Sequence, residues 1–374
     1  MKNTVMPAPS NIKDYYYKKW DNFYCCYKSI YHNLGAAWPA FGGIHNHIKS
    51  DVIVVPYDAI KFDRAYFEYT LEQHLQYANE SGMFVIIDKT VEHVHSKLDF
   101  YELYSNLQKF KLLDRCVVFD NTKDETMYEK YNVPHAYAPW YVWFYIFFKR
   151  IPNYSASPRH QFLCLNNLDK SHRFAMIQTL HKKNFIKRTL WSYRQPVSPY
   201  SKQNVVNICP ELQDVEPLFD APHFIDQPEG EFNQEKNLQA LYNDALISIV
   251  TETDFLYDNT QFATEKSWNS IFYGTIPIVL SCKGTVDVMR EHGIDVYDDL
   301  IDHSYDEEPD AIKRYDKVVA CIDQAVGWRN YGQMMSLIAK RQIRNQILLT
   351  HDQHWIMEID NSVGKFFEQN KISI

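Results

Sequence analysis

A chain of 374 residues is long for a single hydrophobic core, so two domains of ordinary size are expected. With 45% hydrophobic and 23% charged residues the composition is that of a folded globular protein, which excludes disorder over most of the length. A net charge of −8 gives no general attraction to a polyanion, and a nucleic-acid partner is disfavoured.

Seven cysteines are scattered, and the adjacent Cys25 and Cys26 are poorly placed to grip one tetrahedral ion. An odd, dispersed set fits a reducing compartment, and the expectation is a cytoplasmic protein. The first residues carry no apolar segment of signal-peptide length. The most apolar run, Trp140 to Phe148, spans nine residues, against the roughly 20 needed to cross a membrane. It reads as a buried element or a contact patch. Most of the 27 Tyr, 22 Phe and 8 Trp are expected simply to pack.

In chain order, residues 1–40 show little period, with a short helix expected over Trp20 to Asn33. Asp51 to Tyr57 has the form of a buried parallel strand, with Asp58 and Asp63 beyond its carboxyl end. The spacing of Phe67, Leu71, Leu75 and Ala78 predicts a helix over Ala65 to Ser81, stopped by Gly82. Met83 to Ile87 is the next strand, followed by Asp88 and Glu92; a helix over Phe100 to Leu113 then leads to a strand, Cys116 to Phe119, with Asp120. Three such repeats argue for a Rossmann-like first half. Pro134, Pro139, Pro152 and Pro158 mark a linker.

The second half opens with a strand, Gln161 to Leu165, then the polar turn Asn166 to Arg173 and a helix over Phe174 to Lys183. Residues 190–235 read as an irregular insertion with short strands, one of them Asn204 to Ile208. A helix over Glu235 to Asn243 feeds the strand Leu246 to Val250, which ends in Thr251, Glu252 and Thr253. After a loop to Phe262, Thr264, Glu265 and Lys266 open a helix running to Tyr273 and stopped by Gly274. Ile276 to Leu280 is a further strand, Pro277 implying an irregular or edge-like entry to it. Thr285 to Glu291 is predicted helical, Ile294 to Val296 a short strand, and Ala311 to Phe367 mostly helix.

Ligands of parallel sheets sit beyond the carboxyl ends of the strands, where these polar clusters fall. Arg173, preceded by Asn166, Lys170 and His172, stands in the first turn of a helix, where a guanidinium fork and helix N–H groups suit a diphosphate. Thr264 can cap a helix or meet a phosphate, Glu265 can accept two hydroxyls of a vicinal diol, and Lys266 supplies a mobile charge. Glu252, at the end of a strand, can orient a bound sugar. Gly284 lies in a tight turn, and no glycine-rich phosphate fingerprint is present. The pairs His45/His47 (with Asp51) and His93/His95 lack an unambiguous third ligand, so no metal is expected.

The ordered set Leu246 to Thr253, Phe262 to Asn269 and Gly274 to Val279 resembles glycosyltransferases of the GT-B architecture, and within them the α1,3-fucosyltransferase-like group with related phage and bacterial proteins. Ile301 to Asp306 resembles an element of those related proteins, and Asn166 with His172 and Arg173 that group's segment ahead of the donor site. Thr253 departs from the group's Asn, and Asn167 stands in place of a basic residue.

The resemblance implies an α/β protein of two Rossmann-like domains facing each other across a cleft: 1–155 binding the acceptor, 156–345 binding a nucleotide-sugar, and a helix in 346–374 packing back on the first. It implies Arg173 and Lys266 on the donor diphosphate, with Glu265 and Glu252 near ribose or the transferred sugar. The expected activity is metal-independent glycosyl transfer to a hydroxyl acceptor, a glycan, with no cofactor beyond the nucleotide-sugar. If the reaction inverts, a base for the acceptor hydroxyl is sought first in Asp88 and Glu92, then in Asp58 and His47.

Two rivals remain. A DNA-modifying glycosyltransferase acting on hydroxymethylated bases would use a basic track of Lys149, Arg150, Lys182, Lys183, Lys187 and Arg188. The other is an inactive nucleotide-sugar-binding module.

Overall fold

In a computed structural model the described residues are 52–57, 71–82, 84–89, 97–120, 126–137, 158–213, 222–225, 234–256, 261 and 263–350. The helix expected over Trp20 to Asn33, the run Trp140 to Phe148, residues 351–374, and His45, His47, Asp51, Asp58, Glu92, His93 and His95 lie outside them. The backbone of Asp88 is described and its side chain is not. The chain divides into two compact units, the described residues up to Tyr137 falling in the first and those from Pro158 to Thr350 in the second.

The first unit holds a parallel sheet in the order β1 (Val52–Pro56), β2 (Phe84–Lys89), β3 (Cys116–Asp120), β4 (His135–Tyr137). Among the described residues its named helices are α1 (Leu71–Glu80), α2 (Lys97–Lys109) and the short α3 (Thr126–Lys130). The strands are β-branched apolar runs buried on both faces: Val55, Val85, Ile87 and Val118 of one face pack with Leu75 and Ala78 of α1 and Leu103 and Leu107 of α2, and Ile86 and Val117 of the other face are buried as well. Each such side chain contributes about 1.5 to 3 kcal/mol of burial. At the carboxyl end the register places Lys89 opposite Asp120. Their charges lie 3.7 Å apart, and the Tyr128 hydroxyl donates to Asp120 at 2.5 Å.

The second unit is a parallel sheet in the order β6 (Thr189–Tyr193), β5 (His160–Asn166), β7 (Ala245–Thr251), β8 (Ile276–Leu280). From β5 the chain crosses through α4 (Ser171–Lys182) to β6 on one side. It then passes α5 (Pro199–Ile208) and α6 (Gln234–Asn243) and returns beyond β5 to β7, continuing through α7 (Glu265–Phe272) to β8. The strand order therefore reverses between β5 and β7, and ligands of open parallel sheets bind at such a switch point. Helices α8 (Thr285–Glu291), α9 (Ala311–Ala325) and α10 (Tyr331–Thr350) complete the unit.

Two sequence expectations are corrected. Asn204 to Ile208 is the end of helix α5, not a strand: Ser198 caps that helix by accepting from Ser201 N at 3.1 Å, Pro199 opens it, and Val205 and Ile208, one turn apart, face the core. Ile294 to Val296 is not a strand either. Its polar backbone is taken by α10, where Asn345 accepts from Asp295 N at 2.9 Å and donates to Asp295 O at 2.7 Å. Pro277 does sit in an edge strand, paired with Ser248 of β7 alone.

Candidate functional site

The ends of β5 and β7 are tied together. Thr251 Oγ1 donates to Asn166 Oδ1 at 2.6 Å, and both residues are buried, so Asn166 serves the sheet end itself. The loop after β5 is fixed by Asp169, whose carboxylate accepts from Ser198 N (3.1 Å), Ser198 Oγ (2.5 Å), Ser201 Oγ (2.8 Å) and the Tyr193 hydroxyl. Partial burial alone would raise the Asp169 carboxyl, but the hydroxyls of Ser198, Tyr193 and Ser201 outweigh it and hold it below the usual carboxylate range. This clamp was not read from the sequence, although Ser198 followed by Pro199 is a helix-start signature that points to it.

Helix α4 then begins at Lys170, which gives it no side-chain cap. Its first turn carries His172 and Arg173. The Arg173 guanidinium is 1% exposed and donates to Leu168 O at 3.1 Å and Glu252 O at 3.2 Å, while its buried Nε has no hydrogen-bond partner. Burial lowers the Arg173 pKa, and the charges of Glu252 and Glu265 act against that shift. His172 Nε2 lies 2.8 Å from Glu252 O; a carbonyl only accepts, so Nε2 carries the hydrogen. Burial first and Arg173 second push His172 down to about 3, which leaves a neutral imidazole at pH 7.

Across the switch point, Glu252 follows β7 and is 0% exposed. Its carboxylate accepts from Thr264 N (2.9 Å), Thr264 Oγ1 (2.6 Å), Ser267 N (3.3 Å), Ser267 Oγ (2.5 Å) and Thr253 N (3.2 Å). Five internal donors use both oxygens, so Glu252 is the anionic cap of α7, where the helix field favours it. The sequence reading placed it against a sugar; the geometry gives it to the helix twelve residues on. Thr264 Oγ1 also accepts from Lys266 N at 3.2 Å, the N-cap the sequence anticipated.

Glu265 and Lys266 are different in kind. Lys266 Nζ reaches Glu265 Oε1 at 2.7 Å and Thr264 Oγ1 at 3.1 Å, and the two side chains remain 24% and 41% exposed for Lys266 and Glu265 respectively. Burial tends to raise the Glu265 carboxyl, but Lys266 and nearby donors prevail and keep it below its ordinary value. The pair presents one accessible cation and one accessible anion at the mouth of a helix whose N-terminus is already filled.

The turn after β8 is closed in the same manner. Gly284 has φ 80°, and a Cβ there would lie 2.9 Å from the Gln261 side chain. Asp306 accepts from Asp287 N at 3.0 Å through its carboxylate and from Gly284 N at 2.9 Å through its carbonyl. Helices α7 and α8 therefore start on buried carboxylates of the protein itself.

Of the basic track considered for DNA, Lys182 pairs with Glu211 (3.3 Å), Lys183 with Asp323 (2.9 Å), and Arg188 donates to Val326 O (3.3 Å). Among the described residues no three His, Cys, Asp or Glu side chains group as metal ligands, and no helix is long and apolar enough to cross a membrane. The chain matches no family model, no curated protein and no solved structure.

Proposed function

We propose that the second unit binds the diphosphate of a nucleotide-sugar at its switch point, and that the protein is a glycosyltransferase of GT-B type acting on a hydroxyl acceptor, a glycan. The observation that carries this reading is Arg173. It is a buried guanidinium in the first turn of a helix without a side-chain cap, at the carboxyl edge of a parallel sheet where the strand order reverses. Desolvating a guanidinium is costly; two carbonyls and the charges of Glu252 and Glu265 offset part of that cost while Nε stays unmatched, and an anionic ligand would add to the compensation.

In this reading Arg173 and the N–H groups opening α4 meet the diphosphate, and Lys266 moves from Glu265 to the same charge. Positive groups fixed in advance are worth most where negative charge grows, here on the departing nucleoside diphosphate. Glu265, released from Lys266, accepts hydroxyl hydrogens of the donor. Glu252 and Asp169 hold the two loops and touch no ligand. The acceptor's proton goes to a base of the first half, with Asp88, Glu92, Asp58 and His47 as the candidates.

The test is a panel of nucleotide-sugars followed by thermal shift and by release of nucleoside diphosphate, using the parent, Lys266→Ala and Arg173→Lys. Arg173→Lys keeps charge at a buried site where alanine would threaten folding. One donor is expected to raise the parent's Tm by several degrees and to be turned over, with both effects reduced at least tenfold in apparent affinity in the variants. A panel in which no donor stabilises the parent, or in which all three proteins respond alike, rejects the assignment.

A further inference from the structure

We infer that the donor's nucleobase stacks on Phe224, which makes that residue a specificity determinant of the site proposed above, an inference that rests on that reading. Three features place an aromatic surface next to the anion site. The segment 222–225 docks on the end of β6 through a reciprocal bridge, Tyr193 N to His223 O and His223 N to Tyr193 O, both 2.8 Å, and His223 stacks on Trp191 with centroids 3.9 Å apart. The Arg194 guanidinium lies over the Phe224 ring at 5.6 Å, and Phe224 remains 37% exposed. The Arg194–Gln195 backbone is in turn fastened to the loop that leads to Arg173, by Arg194 N to Asn166 O at 3.0 Å and Asp169 N to Gln195 Oε1 at 3.0 Å.

Among the described residues, which do not include 257–260 and 262, the opposite side of the site offers less. Beyond β7 the carboxylate of Glu252 is consumed by α7, and beyond β8 the Gly284 turn is closed by Asp306 and Gln261. Leu256, exposed on that side, is aliphatic and has no π face to offer a base. Every base has a π face, and stacking tolerates changes of base identity, whereas a guanidinium held behind the ring adds cation–π attraction and a fork of donors at its rim. The ligand class is therefore a nucleoside diphosphate whose base projects from the switch point toward β6.

The experiment compares dissociation constants for a nucleoside diphosphate, taken from a panel of five common bases, and for inorganic pyrophosphate. It uses the full chain as parent, Phe224→Ala and Phe224→Trp, with folding checked by circular dichroism. Phe224→Ala is expected to weaken the nucleoside diphosphate about tenfold or more while leaving pyrophosphate within about twofold, and Phe224→Trp to retain or improve the former. Equal weakening of both ligands, or unchanged nucleoside diphosphate affinity, overturns the stacking role and leaves the diphosphate site standing. A parent that binds neither ligand overturns both readings together.

Discussion

Glu252 joins the two halves of the candidate site through a single residue. Its carbonyl oxygen receives Arg173 and His172 from α4, and its carboxylate receives Thr264 and Ser267 from α7. Glu252→Ala keeps the carbonyl for Arg173 and His172 but leaves the Thr264 and Ser267 donors buried and unmatched, so it is expected to lower unfolding free energy by about 3 kcal/mol or more in a denaturant titration. Glu265→Gln, on a half-exposed side chain paired with Lys266, is expected to cost far less than Glu252→Ala in the same titration and to weaken donor binding. A Glu252→Ala protein as stable as the parent would show that the carboxylate does not hold α7. At this scale the start of α7 was legible, because Thr264 is an N-cap residue and Glu265 an acid in the first turn before an apolar face. The destination of Glu252 was not: a carboxylate at a strand end reads the same whether it turns toward a ligand or toward a helix N-terminus that the fold brings alongside.

The edge of β8 shows how an element is protected after it forms. Pro277 removes one outward N–H, Val279 N donates to the Tyr305 hydroxyl at 2.9 Å, and His303 Nε2 donates to Pro277 O at 3.3 Å. The 3-10 turn His303–Glu307 is thus a cover for the sheet edge as well as the carrier of Asp306. Burial pushes the Asp306 carboxyl up to about 6 from 3.8, against the opposing hydrogen bonds of α8. The folded protein therefore keeps this proton at pH values where the unfolded chain has lost it, and its contribution to stability falls as pH rises from about 4 to about 6. Asp306→Asn keeps an acceptor for Asp287 N and carries no charge to bury. Its stability relative to the parent is expected to rise across that window by up to about 3 kcal/mol, read from chemical denaturation at pH 4 and 7. A pH-independent difference would place the burial cost elsewhere. Strand and helix positions in this region were legible from continuous apolar runs and helical spacing, whereas the non-strand at Ile294 to Val296 depended on Asn345, fifty residues away.

For the whole molecule, the division into two units with a parallel sheet each follows from apolar runs separated by helical spacing, a pattern readable along the chain. Strand order is not readable in that way, because nothing local to β5 or β7 states that β6 lies on the far side of β5. Yet the order creates the switch point, and with it the meeting of residues 166–173 with residues 252–256 and 263–266. If that meeting is the ligand site, binding should be felt there first. Hydrogen exchange of the full chain with a saturating nucleoside diphosphate is expected to slow in peptides covering those segments, by the factor that the ligand's binding free energy sets. The central strands of the first sheet should exchange at unchanged rates, since the proposed contacts all belong to the second unit. Protection confined to β1 to β4, with none at the switch point, would move the nucleotide to the other unit and take Arg173 out of the chemistry.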